Sequence, residues 1–405
     1  MQLLFIAGLY PKEEEYSYLH NCKGPYLQNA ANNYQWAVVE GLVENKSDFY
    51  VLSAPFLPSY PFNYRKKSIP ESLIFYNNIK IGEVVSYPSI IAIKSFFISF
   101  IIKKRIEKWI KNNIRDNEKF CVIVYTPVSY FLNPIISLKK RFPNLLLTTI
   151  VTDLVDDAYN FDVNRQFFKR IQMNIEIKLT KKNYKRIDKF ILLTERMTDK
   201  IPEAVNKNIV IEGIAPLSIA NKSNENRIPD TIVYTGSFQE YTGIKLLVDA
   251  FHKTNNPNYK LILCGYGGCQ DYVEQIAKED MRIVYKGNVP RENAINMQRT
   301  ATLLINPRVP DNSITKYSFP SKTLEYMLSK TPVLGYKLEG IPVEYYNYIY
   351  LVEDNSVDGL SKRIDEVLSL PLSELENKGE EAYNFVVQQK SSYKQVNKMI
   401  QFVEE

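Results

Sequence analysis

The chain has 405 residues and a mass of 47.1 kDa, which fits two domains better than one, at roughly 100–200 residues per domain. Hydrophobic residues make up 45% and charged residues 24%, a balance that excludes a wholly disordered chain. Two histidines leave little for a His-based metal site. The four cysteines form no C-x-x-C pair, so we expect reduced thiols in the cytosol.

The sequence predicts no secretory or membrane-spanning segment. Met1 leads directly into QLLFIAGLY, without a basic n-region or a small-residue cleavage site. The most apolar run, Ile90–Ile102, is interrupted by Lys94 and is shorter than the roughly 18–20 residues that a spanning helix needs. We therefore expect a cytoplasmic protein.

The positive charge is concentrated in the first half. Residues 1–216 contain 30 Lys and Arg against 21 Asp and Glu, whereas residues 217–405 contain 21 against 24. A basic half favours an anionic partner such as a membrane surface. Nucleic acid is a weaker interpretation because no stacking platform or known binding motif accompanies the charge.

The first half, residues 1–216, alternates between predicted strands and helices. A polar loop extends from Tyr10 to Gly24 after the first strand, and a helix is predicted over Gln28–Leu42. The strands are short and apolar throughout, as in a buried parallel sheet. They are Leu3–Gly8, Phe49–Leu52, Cys121–Tyr125, Leu145–Val151, Phe190–Thr194 and Ile209–Ile211.

The same alternation restarts after a polar stretch, residues 217–231, which we interpret as a linker. We expect a second domain over residues 217–385, with the helical segment 386–405 packing back on the first domain. Two doubly wound α/β domains predict a ligand cleft between them, at the carboxyl ends of the strands. The second-half strands are predicted at Thr231–Thr235, Tyr259–Cys264, Met281–Tyr285, Ala301–Ile305 and Thr331–Leu334.

Residues that follow second-half strands are the candidates for ligand binding. The most informative run is Lys316–Glu325, in which Pro320 suits the first position of a helix and Ser318 its cap. A helix start favours phosphate, Lys322 lies in its first turn, and Glu325 could accept hydrogen bonds from ribose hydroxyls. The alternative is a capped helix with a solvated Lys and Glu, which is the commoner case.

Two further groups follow the strands. Arg308, after Asn306 and Pro307, could bind phosphate with its guanidinium fork or could simply be a surface arginine. The turn Gly265-x-Gly267-Gly268 lets backbone pass close to a base or sugar, although by itself it is a weak signal.

The second half resembles the donor-binding domain of family 4 retaining glycosyltransferases, which have the GT-B architecture of two Rossmann-like domains facing a central cleft. The similar segments are YTGSFQEYTGIKLLVDAF (234–251), LILCGYGG (261–268), VYKGNVPRENAINMQRTATLLINPR (284–308) and YSFPSKTLEYMLSKTPVLGYKLEGIPVEY (317–345). In the first half, QNAANNYQWAVVEGL (28–42), IVTDL (150–154) and DKFILLTERM (188–197) resemble acceptor-domain segments of polysaccharide-assembly members. The resemblance implies that the loop between Gly8 and Gly24 lies on the acceptor side.

The resemblance implies roles for individual residues. Glu325 matches the second glutamate of the E-x7-E motif, which binds the nucleotide ribose. The other matching positions are Gly236 and Gly243 near the donor phosphates, Gly265 and Gly267 near the base, and Ser318, Phe319, Pro320, Ser321 and Lys322 under the diphosphate.

The sequence departs from the family pattern at three positions. Tyr317 occupies the place of the first glutamate, Ser237 that of the usual arginine and Thr242 that of the usual lysine. We hypothesise that Arg308 and Lys322 replace the two missing cations.

The resemblance implies sugar transfer from a UDP- or GDP-sugar, with retention, to a glycan or lipid-linked acceptor in surface polysaccharide synthesis. No D-x-D pattern or carboxylate pair points to a metal or to a covalent route, so we expect no cofactor and no metal. Asp153, after a first-half strand, either contacts the acceptor or caps the next helix.

A membrane contact is suggested by the segment Ile90–Lys111, in which an apolar stretch runs into Lys103, Lys104, Arg105 and Lys108. The alternative is a core helix with one solvated face. A second basic tract covers Lys169–Arg186. We expect a peripheral protein on the inner face of the cell membrane.

Two other functions remain open. A sugar-nucleotide 2-epimerase would share the architecture, but it would usually rely on acidic and histidine residues, and the chain has only His20 and His252. A non-catalytic partner that keeps the sugar-binding cleft is supported by the departures at Ser237, Thr242 and Tyr317.

Overall fold

The computed structural model describes residues 1–24, 28–91, 93–158, 167–220, 226–310 and 313–405. The chain divides into two compact units. The first unit comprises Met1–Ile211 and Ser392–Glu405, and the second comprises Glu212–Ser391. The chain thus crosses between units after Ile211 and after Ser391.

The first unit is built on an eight-stranded sheet with the order β10-β9-β8-β7-β1-β2-β5-β4. Seven strands are parallel, and only β4 at one edge runs antiparallel to its neighbour β5. A separate antiparallel pair is formed by β3 and β6. The strands are β1 Gln2–Ala7, β2 Phe49–Ser53, β3 Ser68–Ile69, β4 Ser72–Tyr76, β5 Ile79–Val84, β6 Tyr87–Pro88, β7 Phe120–Tyr125, β8 Leu145–Val151, β9 Lys189–Leu192 and β10 Asn208–Val210.

Helices of this unit connect the strands, except the last, which returns from the far end of the chain. They are α1 Glu15–Asn21, α2 Asn29–Glu44, α3 Lys94–Asn113, α4 Ser129–Lys139, α5 Val155–Ala158, α6 Phe167–Tyr184 and α13 Ser392–Glu404. Helix α13 packs on α2, where the Ser392 hydroxyl donates to Glu40 over 3.1 Å.

The second unit is a six-stranded, fully parallel sheet with the order β13-β12-β11-β14-β15-β16. Its strands are β11 Thr231–Thr235, β12 Lys260–Cys264, β13 Ile283–Gly287, β14 Leu303–Asn306, β15 Val333–Tyr336 and β16 Ile349–Val352. Its helices are α7 Ile244–His252, α8 Gln270–Glu279, α9 Arg291–Thr300, α10 Lys322–Leu328, α11 Val357–Leu368 and α12 Leu372–Gln389. Counted from β11, the order is 3-2-1-4-5-6, the doubly wound dinucleotide-binding arrangement.

The prediction of two Rossmann-like α/β units is confirmed. Apolar strands build both sheets because both faces of a parallel sheet are covered by helices, so the central strands are largely buried. Strands β7 and β11 show this most clearly, with all of their residues buried.

Several boundaries differ from the predicted ones. The crossing between units lies after Ile211 rather than after 216, and residues 386–391 belong to the second unit because α12 continues to Gln389. The segment Tyr10–Gly24 is not a plain loop, since it contains α1. Part of the predicted linker, residues 221–225, lies outside the described residues.

Helix α3 occupies the segment for which we considered either a core helix or a membrane contact. Ile98, Ile102, Ile106 and Ile110 are buried at a helical spacing, so this face belongs to the core. Phe96 and Phe100, in contrast, are 70% and 48% exposed. Within the described residues, no helix is both long enough and apolar enough to cross a bilayer.

Candidate functional site

The second sheet reverses its strand order between β11 and β14, and most of the predicted site residues follow these two strands. In an open α/β sheet this reversal opens a crevice outside the carboxyl ends of the strands. Gly243 lies in the loop after β11 with φ +78°, and a Cβ at this position would lie 2.0 Å from the Pro307 carbonyl oxygen. A glycine is therefore required where the loops after β11 and β14 touch.

The glycine turn after β12 packs against the loop after β11. The backbone N–H of Phe238 donates to the Tyr266 carbonyl over 2.9 Å. A Cβ on Gly265 would lie 1.8 Å from the Gly236 oxygen, and one on Gly267 would lie 2.6 Å from the Phe238 backbone. These glycines serve the mutual packing of the two loops. They also leave the local surface as bare backbone, which a flat ligand can approach closely.

Glu325 lies in α10 and faces the end of β11. Its Oε1 accepts hydrogen bonds from the Lys322 ammonium and the Gln298 amide, both over 2.7 Å, and its Oε2 lies 4.0 Å from the Arg291 guanidinium. Burial by itself raises the pKa of Glu325, but Lys322, Gln298 and Arg291 outweigh it and hold the pKa below its usual value. The side chain therefore stays an anion, with one oxygen fully engaged and the other facing Arg291.

The sequence analysis did not identify Gln298. This residue lies in α9 and is fully buried. Its amide nitrogen donates to both Glu325 and the Thr235 hydroxyl, at 2.7 Å each, whereas its Oε1 has no hydrogen-bond partner in the described structure. The only sequence signal is a polar residue on the inward face of an amphipathic helix. Such a signal does not specify what the residue contacts.

Arg308 is half-buried at the loop after β14. Its guanidinium lies 5.4 Å from the centre of the Tyr241 ring and donates to the Ser318 hydroxyl over 3.4 Å. It forms no ion pair with any carboxylate in the part of the chain that the structure describes, and burial lowers its pKa. A partly desolvated cation without a counter-charge is well suited to bind an anionic ligand.

The prediction for the start of α10 is wrong in detail. The helix begins at Lys322, with Ser321 at the N-cap position, so Pro320 is not its first residue and Ser318 is not its cap. Phe319 is buried, and its ring packs 5.4 Å from that of Tyr345. Lys322 forms an ion pair with Glu325 of the same helix. This pair explains why a cation is tolerated in the first turn of α10, where the helix dipole disfavours positive charge.

The three positions that depart from the family pattern have different surroundings. Thr242 is buried and its hydroxyl donates to the carbonyls of Ser237 and Gln239, at 3.0 and 2.6 Å. Ser237 is exposed and Tyr317 is half-buried. Thr242 therefore stabilises the turn that precedes α7, a role that does not require the lysine of the family pattern.

The remaining predicted residues lie in the first unit. Gly8 is buried at the end of β1, where its N–H donates to the Gln35 side chain over 2.7 Å. Gly24 is half-buried, and Asp153 is exposed after β8 with the Thr152 hydroxyl donating to it over 3.2 Å. The structure does not assign Asp153 as a helix cap or as an acceptor ligand. No cluster of three or more His, Cys, Asp or Glu side chains suited to a metal occurs among the residues described.

Residues 218–385, less than half of the chain, match the family model for glycosyl transferases group 1. No curated protein matches the sequence.

Solved structures resemble the whole chain. Sucrose-phosphate synthase from Thermosynechococcus elongatus has a TM-score of 0.65 at 14% identity, with 100% of this chain and 98% of that chain covered. A mutant of TarM from S. aureus, in complex with fondaparinux, alpha-GlcNAc-glycerol and UDP, has a TM-score of 0.60 at 11% identity, with both chains fully covered. HepE from Anabaena in complex with UDP has a TM-score of 0.61 at 12% identity, again with both chains fully covered. At these identities the likeness shows the fold. With the family match, it supports a glycosyltransferase of GT-B architecture.

Proposed function

We propose that this protein is a retaining glycosyltransferase. It moves a sugar from a UDP- or GDP-sugar to a glycan or lipid-linked acceptor in the synthesis of a surface polysaccharide. The observation that carries the proposal is the ionised carboxylate of Glu325, held by Lys322 and Gln298 beside the crevice of the second sheet. The family match over the same unit and the UDP named with two structural neighbours agree with a nucleotide-sugar donor.

Glu325 is proposed to bind the ribose of the donor. Since Oε1 already accepts two hydrogen bonds, Oε2 is the atom that would accept from the ribose hydroxyls. A carboxylate that is already fixed loses little conformational entropy on binding, which favours affinity. The bare backbone at Gly265 and Gly267 would lie against the base.

Arg308 and Lys322 are proposed to stabilise the departing nucleotide diphosphate. As the bond from the sugar to the phosphate breaks, negative charge grows on the leaving oxygen, and preorganised cations stabilise it better than water does. Helix α7, which starts directly after Gly243, would add its free N–H groups. The acceptor hydroxyl would enter on the face from which the diphosphate leaves and would give its proton to the departing phosphate oxygen, so that neither a protein nucleophile nor a metal is needed.

The first unit is proposed to present the acceptor, through the Gly8–Gly24 segment and Asp153, and to contact the inner face of the cell membrane. The exposed rings of Phe96 and Phe100 lie on α3 beside Lys104, whose ammonium is 4.4 Å from the Phe100 ring centre. Apolar and basic groups side by side suit the headgroup layer of an anionic bilayer.

The proposal is tested first by nucleotide binding. Thermal-shift assays with UDP, GDP, ADP, CMP and their common sugars should give a clear shift for one nucleotide, since a ligand at about 100 times its Kd stabilises a protein by about 2.7 kcal/mol. Glu325→Ala should abolish the shift. Glu376→Ala, which removes an exposed glutamate on α12, is the matched control and should keep it. If no nucleotide shifts the wild-type protein, the donor site is refuted.

Product analysis then separates the three candidate functions. A transferase releases the free nucleotide only when an acceptor is present, and NMR of the product reports the anomeric configuration. A 2-epimerase would convert the donor to its epimer without an acceptor. A non-catalytic partner would bind the nucleotide and give neither product.

A further inference from the structure

Three adjoining polar depressions lie at the amino-terminal edge of the first sheet, with volumes of about 380, 310 and 580 Å³. Gln2 lines all three, Asp48 is shared by the first two, and Asn113 is shared by the last two. We call this surface the amide groove, because side-chain amides are its commonest polar groups. They are Gln2, Asn45, Asn112, Asn113, Asn117 and Asn397.

Most of these amides have hydrogen-bonding capacity to spare. The side chains of Gln2, Asn112, Asn117 and Asn397 make no hydrogen bond to another group in the described structure, and each lies at least partly exposed. An amide offers two donors and one acceptor oxygen, so it can pair with a group that both donates and accepts. The groove therefore favours a ligand rich in hydroxyl groups.

Two aromatic side chains line the middle depression. Trp109, on α3, and Tyr50, on β2, are both half-buried there. The Trp109 ring lies 6.1 Å from the buried ring of Phe120, which ties it to the core. A fixed aromatic ring with a polar rim suits a ligand that has an apolar face and polar edges, as a pyranose ring does.

The groove is balanced in charge. Five Lys or Arg side chains and five Asp or Glu side chains line it. Some of them are already paired, such as Arg105 with Glu83 at 3.1 Å. A balanced lining gives no long-range attraction for a polyanion or for an anionic lipid surface, so a neutral ligand is favoured.

We propose that the amide groove binds a neutral oligosaccharide at a site separate from the proposed donor site. The groove begins at Gln2, whereas the acceptor segment begins after Gly8 at the other end of β1, roughly 17–20 Å along the strand. A glycan bound there would be retained close to the enzyme between additions. The choice of a glycan as ligand rests on the proposed function, but binding in the groove requires no transfer activity.

Trp109 provides the test. The chain has only two tryptophans, and the other, Trp36, is buried with its indole N–H donating to the Tyr10 carbonyl over 3.1 Å. Titration of the full chain with maltohexaose, cellohexaose and chitohexaose should change the tryptophan emission. The change should be lost in Trp109→Phe, which retains Trp36. Asn112→Ala and Asn397→Ala should each weaken binding by about threefold or more, as the loss of one hydrogen bond predicts.

Two controls keep this proposal separate from the donor site. Asn377→Ala, at an exposed asparagine on α12 outside the groove, should bind the oligosaccharides as the wild type does. The nucleotide thermal shift should be the same in every groove variant as in the wild type. If the wild type shows no nucleotide shift at all, that result contradicts the proposed function but not the binding of oligosaccharide in the groove. The groove proposal is overturned if no hexasaccharide changes the tryptophan emission at concentrations up to about 10 mM, which is ten times a Kd of about 1 mM. It is also overturned if the groove variants bind like wild type or a heparin hexasaccharide binds more tightly than the neutral ones.

Discussion

The carboxyl edges of the two sheets differ in how they use charge. In the second unit a single carboxylate, Glu325, is held by a lysine and a buried amide with an arginine 4.0 Å away, and Arg308 lies nearby without a counter-ion among the described residues. At the carboxyl edge of the first sheet, the group next to the end of β1 is neutral, since the Gly8 N–H donates a hydrogen bond to the Gln35 side chain. The carboxylate that follows β8, Asp153, is exposed.

This difference matches what the two ligands of a sugar transfer would require. Every nucleotide diphosphate carries the same anionic group, so a site can hold cations in fixed positions around it. The binding of the phosphates offsets the free energy that it costs to bury these cations. An acceptor glycan brings neutral hydroxyl groups, which neutral backbone and amide groups can bind. The comparison predicts that substitutions in the second unit change donor kinetics strongly, whereas those in the first unit do not.

The largest effects are expected at the cations of the second unit. Arg308→Ala and Lys322→Ala should each raise the donor KM and lower kcat, so that kcat/KM falls by about 100-fold, because each would remove a charged contact that we propose for the leaving group. Steady-state kinetics with the donor identified by thermal shift measures this. Wild-type kinetics in both variants would show that neither residue replaces the cations missing at Ser237 and Thr242.

A smaller effect is expected at Gln298. Gln298→Leu keeps the volume but frees Glu325 Oε1 from one of its two donors, and should lower donor kcat/KM by about tenfold. It should also reduce the ratio of the affinity for a ribonucleotide to the affinity for its 2′-deoxy form. A general packing defect would weaken the binding of both forms and leave this ratio unchanged. The free energy of unfolding should fall by about 1–2 kcal/mol, because the buried Thr235 hydroxyl and the Glu325 carboxylate each lose a hydrogen-bond donor.

The control for this variant is Gln275→Leu, on the exposed face of α8, which should keep wild-type kinetics. An unchanged ribose preference in Gln298→Leu would show that Gln298 does not position Glu325.

The pH dependence of nucleotide binding should be weak on the acid side. The pKa of Glu325 is held below its usual value, so its carboxylate remains charged between pH 8 and about 5.5, above the usual glutamate pKa of about 4.3. A group with a depressed folded-state pKa contributes stability above its unfolded pKa and loses it as the pH falls through the folded value. Calorimetry should show that the affinity for the nucleotide-sugar changes by less than about twofold over this range, because its diphosphate is esterified at both ends and has no terminal phosphate that titrates near pH 6. A steep loss between pH 7 and 5.5 would contradict an ionised Glu325 held by Lys322.

The smallest effect on donor binding is expected in the first unit. Asp153→Asn removes the charge of an exposed side chain and should leave the nucleotide thermal shift and the donor KM within about twofold of wild type. A lower transfer rate at unchanged donor KM would assign Asp153 to the acceptor. A loss of nucleotide binding would break the contrast between the two units.

Much of the architecture could be predicted from the pattern of residues. The apolar runs at Phe120–Tyr125 and Thr231–Thr235 predicted buried strands, and the regular return of such runs predicted two doubly wound units. Gly243 and Arg308 lie in the loops after β11 and β14, as their places in the sequence predicted, and all parallel strands end at the same edge of a sheet.

Other local features were harder to read. The start of α10 and the helix inside the Tyr10–Gly24 segment were both misjudged. A proline, a serine or a run of polar residues is compatible with several turns and helix starts, and the choice among them depends on what the segment packs against. Phe319 shows this, because its contact with Tyr345 draws the residues before α10 into the core.

The sequence by itself determined most strands of the two sheets, but not β4, β5 and β16. It also determined the alternation of strands with helices, because hydrophobic periodicity is a local property of the chain. Only the tertiary structure decided that Gln298 meets Glu325 and Thr235 and that Arg308 lies against Tyr241. It also brought Gln2, Trp109 and Asn397 to one groove. These partners are far apart in the sequence. The packing of helices on the sheets sets the distances between their side chains, and no local sequence pattern predicts those distances.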